Sequence, residues 1–167
     1  MVRQALDRAL RLLIWLALAA LVALGAIVLP PRGRALEGDA AVVDGDSLRL
    51  NGLDVRLMGV DAPELRQNCS RGGRPYRCGE SAKAALASKI EGRALACRIE
   101  GRDRYRRSLA RCRVGGEDLG AWLVREGIAV GYRDYEAEEA LARQRGVGLW
   151  AGEFQRPSAW RQEHTRS

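Results

Sequence analysis

The chain has 167 residues and a net charge of +7, a length that fits one domain with an appendage. Five arginines and one aspartate lie in residues 1–35, so the remainder carries only +3. That balance is compatible with a polyanionic substrate without requiring one. The single histidine, His164, falls in the polar tail, which excludes Ser-His-Asp hydrolases and histidine-rich metal centres from the core.

Residues 12–29, LLIWLALAALVALGAIVL, carry no charge; Arg3, Arg8 and Arg11 precede them and PPRGR follows. Eighteen apolar residues just reach the span of a bilayer and exceed the usual core of a signal peptide. Ala23-Leu24-Gly25 also offers a signal cleavage site. The expectation is an N-terminal hydrophobic helix over 1–29, either a membrane anchor or a cleaved signal. In both cases the rest of the chain is exported, facing the periplasm or the extracellular side. Residues 30–37 read as a linker.

The text from 38 to 61 reads as strands: AAVV, an Asp-Gly turn, SLRL, the Asn51-Gly52 dipeptide, then LDVRLMGV. Asn-Gly between alternating apolar runs is a strong hairpin signal. Residues 62–78 read as an irregular loop, and 79–92 as an alanine-rich helix stopped by Gly92. RALACRIE and RSLARCRV form two strands around GRDRY. EDLGAWLVREG and YEAEEALARQRGVGLW supply two more helices, and residues 162–167 a polar tail. This order predicts an α+β domain over 38–161: an OB-fold, a five-stranded Greek-key β-barrel with three α-helices.

The chemistry concentrates in residues 42–65, VVDGDSLRLNGLDVRLMGVDAPEL, where Asp44, Asp46, Asp54, Asp61 and Glu64 surround Arg56. A hairpin at Asn51-Gly52 brings Asp46 near Asp61 and Glu64. Carboxylates forced together repel unless a cation lies between them. A hard, oxygen-seeking ion such as Ca²⁺ suits them, with backbone carbonyls completing its shell. Glu64 would remain unligated and hold a water. Side chains alternate along a strand, so Arg56 points opposite to Val55 and Leu57. Its planar fork suits a phosphate oxygen. Lewis acid, base and guanidinium together are what in-line attack on a phosphodiester requires. The bland alternative is a plain turn at Asp44-Gly45 and a solvated hairpin at RDRYRR. The rival functions are a non-catalytic single-strand-binding OB module and an envelope scaffold. Single-strand binders rely on aromatic platforms, and the core has few aromatics.

DGDSLRL…VRLMGVDAPE resembles the opening of the staphylococcal nuclease (thermonuclease) family, and DRYRRSLA its second block. LGAWLVREGIAVGY and AR…GVGLW are similar to its later helices. The resemblance runs from about residue 38 to 161. It implies Ca²⁺-dependent cleavage of DNA and RNA. By position, Asp46 and Asp61 would ligate the cation with the carbonyl of Ala62, where the family often has threonine. Glu64 would orient water, and Arg56 and Arg107 would clamp the phosphate. The family usually has glycine where Arg106 stands. Tyr132 matches a tyrosine that contacts a terminal phosphate. Tyr135 lies one residue out of step with a second, with Asp134 in the aligned place; packing at the rim is the alternative for both. Single-stranded or denatured DNA and RNA are the partners so implied, with membrane attachment through 12–29, no protein partner and a monomer.

The four cysteines contain no C-x-x-C spacing, which argues against zinc, and an even count in an exported chain argues for disulfides. Cys97 and Cys112 fall on strands read as neighbours, and Cys69 and Cys78 bracket one loop. The expected bridges are therefore Cys69–Cys78 and Cys97–Cys112.

Overall fold

The structure, a computed structural model, describes Arg8 and residues 11–20 and 34–164. Residues 11–20 are helical. No helix among the described residues is long and apolar enough to cross a membrane; residues 21–29, the second part of the apolar run, lie outside the described residues.

The main domain begins with β1 (Arg34–Gly38), β2 (Ala40–Val42), β3 (Ser47–Leu50) and β4 (Leu53–Leu57). Later come β8 (Leu95–Arg102), β9 (Ser108–Val114) and the short β10 (Glu117–Asp118). These make one mixed sheet in the order β1-β8-β9-β4-β3-β2, with β10 on β9. The β4–β9 pair is parallel and the other pairs are antiparallel. The two ends of that path, β1 and β2, are separated only by Asp39. Two residues with positive φ, Asn51 at 51° and Gly52 at 78°, form the tight turn that matches strand twist. The resulting register places Ser47 opposite Arg56 and Leu48 opposite Val55.

Alternation then sorts the side chains. Leu48, Leu50, Val55 and Leu57 are buried, and Arg49 is exposed. Helix α1 (Cys78–Ile90) adds Ala82, Leu86 and Ile90 to the buried set at helical spacing. Helix α2 (Leu119–Arg125) adds Leu119, Leu123 and Val124, and its first turn is capped by the Asp118 carboxylate, which accepts from Ala121 N. Each fully buried Leu contributes about 1.5–3 kcal/mol of apolar transfer. The architecture is α+β and OB-like.

Several details differ from the expectation. Residues 34–37 are not linker but part of β1, because Leu36 packs on the core and pairs with Cys97. Residues 62–78 are not wholly irregular: β6 (Cys69–Arg71) and β7 (Arg74–Tyr76) form a hairpin. Its turn is Gly72-Gly73, with φ of 56° and 75°, a dipeptide that serves this turn as well as Asn-Gly does. Two short strands, β5 (Val60–Asp61) and β11 (Val130–Gly131), pair with each other. The helix expected over 135–150 is split. Helix α3 (Glu136–Arg145) ends at Gly146, whose φ is 58°, and a 3-10 turn (Gly148–Ala151) follows. A fourth helix, α4 (Pro157–His164), closes the domain and runs into the first residues of the expected tail, 162–164. Proline at its start is compatible with a helix first turn, since the missing N–H would be unpaired there anyway.

Candidate active site

An open cavity of about 850 Å³ lies over the ends of β3, β4 and β5 and is lined by Asp46, Arg56, Asp61, Glu64, Arg107 and Arg161, among others. Asp46 immediately precedes β3, and its carbonyl accepts from Leu57 N at 2.8 Å, which locks it beside the end of β4. Asp46 is only 4% exposed. Its Oδ1 accepts from Arg56 Nη1 at 2.8 Å and Ser47 Oγ at 3.1 Å, and its Oδ2 from Ala62 N at 2.9 Å. Burial pushes its carboxyl up to about 7; Arg56 pulls against that shift, and Asp44 and Asp61 add to it.

Asp61 sits on β5, held by the pairing of that strand with β11. Its Oδ1 accepts from Arg56 Nη2 at 3.1 Å. Arg56 thus forks between the two buried aspartates, and its charge offsets their mutual repulsion.

Glu64 occupies a tight turn. Its backbone N–H donates to Gln67 Oε1 at 3.2 Å, and its carbonyl accepts from Gln67 N at 2.7 Å. Gln67 is fully buried, and its Nε2 donates to the Gln155 carbonyl at 2.7 Å. A Cβ on Gly79 would lie 1.8 Å from the Glu64 carbonyl oxygen. The first turn of α1 therefore approaches this backbone only because residue 79 is glycine.

Arg107 precedes β9 in the loop after β8. Its Nε donates to Asp103 Oδ2 at 2.8 Å and its backbone N–H to Asp103 Oδ1 at 2.9 Å, and Nη1 reaches Ser47 Oγ at 3.4 Å. Burial pushes the Asp103 carboxyl upward, but its hydrogen bonds from Arg107 outweigh this and hold it below its ordinary value. Arg106 carries φ of 68°, the left-handed region. The position expected to be glycine thus has a glycine-type backbone. Replacing Arg106 with Gly is expected to stabilise the chain by about 1 kcal/mol, since a left-handed non-glycine residue costs roughly 1–2 kcal/mol; a urea midpoint that does not rise would contradict this strain.

Tyr132 is 52% exposed and lines the cavity. Tyr135 does not line it. Its hydroxyl donates to Asp118 Oδ1 at 3.0 Å and accepts from Arg111 Nη1 at 3.1 Å. Burial and the neighbouring Asp118 push its phenol up to about 12. This is the rim-packing role left open for it. Asp134 beside it pairs with Arg111 at 2.5 Å.

Two residues of the site were not anticipated. Arg161 reaches in from α4: its Nη1 donates to Asp61 Oδ1 and to Glu64 Oε1, both at 2.8 Å, and its Nη2 to Asp61 Oδ2 at 3.1 Å. Burial opposes its charge, but these bonds prevail and raise its pKa. Gln67 is the other. Pro157 as a helix start, with Trp160, Arg161 and His164 following at helical spacing, was the available signal for α4.

Among the described residues no group of three or more His, Cys, Asp or Glu side chains is arranged to hold a metal ion. Asp46 and Asp61 nevertheless fit a hard cation in donor type: both are buried carboxylates that line the same cavity. Ala62 presents its N–H to Asp46 in this arrangement. The disulfides are Cys69–Cys78 and Cys97–Cys112, as expected, with Cα separations of 5.6 and 4.0 Å. Cys97 and Cys112 are direct cross-strand partners.

The chain is similar to several known proteins. It is 39% identical over 122 residues to a succinoglycan biosynthesis protein, ExoI, of Rhizobium meliloti (strain 1021), covering 68% of this chain and 63% of that protein. It is 29% identical over 110 residues to an uncharacterized endonuclease of Haemophilus influenzae, covering 62% of this chain and 57% of that protein. A probable endonuclease, LCL3, of Arthroderma otae is 32% identical over 109 residues, 54% of this chain and 38% of that protein. The chain thus spans less than two thirds of the length of each of these relatives. The family model described as staphylococcal nuclease homologue matches residues 54–152, from β4 through the 3-10 turn. With that match over more than half its length, the chain belongs to the staphylococcal nuclease homologue family.

Proposed function

We propose that the chain is a Ca²⁺-dependent phosphodiesterase that cleaves DNA or RNA, with denatured or single-stranded nucleic acid as substrate. The observation that carries this reading is the convergence of Asp46, Asp61, Glu64, Arg56 and Arg107 on one cavity. Asp46 and Asp61, with the Ala62 carbonyl, would hold the cation, which when bound supplies Lewis-acid polarisation of a phosphoryl oxygen. Glu64 accepts a proton from a water and orients it for attack. Arg56 and Arg107 neutralise charge on the phosphate oxygens, and their forks fix its orientation. Tyr132 at the rim contacts the strand. For Tyr135 the hydroxyl's bonds to Asp118 and Arg111 favour the packing alternative over a substrate contact.

The finer fold is read as a five-stranded Greek-key barrel. The single-residue break between β1 and β2 supports it, because a strand continuous across Asp39 would pair with both β8 and β3. The apolar run 12–29 supports an exported chain, anchored or secreted after cleavage; the chain is read as a monomer. The relative named for succinoglycan biosynthesis favours a second reading, in which the same site serves succinoglycan biosynthesis.

The deciding measurement is cleavage of denatured DNA and of RNA with Ca²⁺ or with excess chelator. Hydrolysis is expected with Ca²⁺ and none with chelator. Mg²⁺ is expected to substitute poorly, because it demands a short, rigid octahedron. Undiminished hydrolysis in chelator overturns the metal assignment, and no cleavage of either polymer with Ca²⁺ favours the second reading.

A further inference from the structure

Arg161 is a charged group at the heart of the site that the proposed chemistry leaves unused. It grips both oxygens of Asp61 and one of Glu64. Asp61 is engaged by Arg56 as well, so its two oxygens accept three guanidinium hydrogen bonds. A divalent cation that takes an Asp61 oxygen meets one of these arginines at contact distance, where like charges repel strongly.

The two arginines are not equally placed to yield. The Arg56 side chain is 19% exposed and forks between two aspartates. The Arg161 side chain is 38% exposed, lines the cavity and belongs to the last helix described.

We propose that Arg161 is a displaceable internal counter-ion: without a cation, its guanidinium holds the place on Asp61 and Glu64 that a divalent cation takes, and cation binding expels it. The inference rests on the reading above that Asp61 is a cation ligand. Displacement has two consequences. Apparent cation affinity falls by the fraction of time the guanidinium is in place. Cation binding also releases the Glu64 oxygen that Arg161 holds, leaving the whole carboxylate open to a water. Cation loading and the arming of the base are then one event, coupled reciprocally.

The test is calorimetric titration of the full chain with CaCl₂ alone, for the wild type, Arg161→Gln, Arg161→Lys and Asp61→Asn. Arg161→Gln is expected to bind Ca²⁺ roughly tenfold more tightly, about 1.4 kcal/mol. Arg161→Lys, which keeps the charge but not the fork, should fall between. Arg161→Gln should also melt lower than wild type in chelator and gain more from added Ca²⁺. A Kd equal to wild type within about twofold makes Arg161 a structural tether only and overturns the proposal. Loss of binding in Asp61→Asn with no response to Arg161→Gln overturns it likewise while sparing the metal site. Absence of binding in wild type and all variants overturns the metal site as well. Should Arg161→Gln fail to fold, amide exchange of the wild type decides. Faster exchange across residues 157–164 on adding Ca²⁺ supports displacement, and unchanged exchange overturns it.

Discussion

Glu64→Gln lowers turnover on denatured DNA by roughly 10²–10⁴-fold, the range that a positioned general base contributes. The substitution keeps the shape of the side chain and a partner for Arg161, and removes only the capacity to accept a proton. The backbone of the turn is fixed independently by Gln67 and by the close approach of Gly79. The melting temperature should therefore stay near that of wild type, and Ca²⁺ affinity should not fall. Single-turnover cleavage, alongside a thermal melt, separates these. Turnover within about tenfold of wild type would remove Glu64 from the role of base.

Arg56→Ala has the largest combined effect. It withdraws the guanidinium that pairs with Asp46, leaving a buried carboxylate beside Asp61. Removing one partner of a buried ion pair costs about 3–5 kcal/mol. Arg161 still neutralises Asp61, so the penalty falls mainly on Asp46. Loss of an electrostatic contact to the phosphate adds roughly 10²–10³-fold in turnover. Arg56→Lys separates the two losses: the charge is retained and stability largely recovers, but a point charge cannot bridge two carboxylates or clamp a phosphate as a fork does. The check is a urea melt in chelator together with cleavage rates. An Arg56→Lys protein with wild-type rates would remove the phosphate role.

Much of the site was legible because it is local in sequence. Asp46, Arg56, Asp61 and Glu64 lie within nineteen consecutive residues, joined by one Asn-Gly hairpin whose geometry the sequence states. Strand alternation then decided which side of β4 Arg56 takes. The cysteine pairing followed from adjacent strands and one short loop. Arg161 and Gln67 were not legible for the opposite reason. Arg161 meets Asp61 across 100 positions and Gln67 meets Gln155 across 88; no local periodicity carries such pairs. Tyr135 illustrates a third case. Its residue type suited a substrate contact, but its positive φ of 62° and the fixed partners of its hydroxyl, Asp118 and Arg111, are tertiary facts. Strand β1 was hidden by its composition, Arg and Gly around a single packed leucine, and by depending on β8 for all its pairing.

The long reach of these contacts has a consequence for synthesis. The loop bearing Glu64 is tied to the end of the domain three times: Ser70 pairs with Glu153, Gln67 holds the Gln155 carbonyl, and Arg161 holds Glu64. Chains are made from the N-terminus at roughly 5–20 residues per second. For the several seconds that separate residue 64 from residue 161 on the ribosome, strands β2, β3 and β4 are present but these three ties are not. The loop that carries Glu64 is thus among the last parts of the domain to be completed.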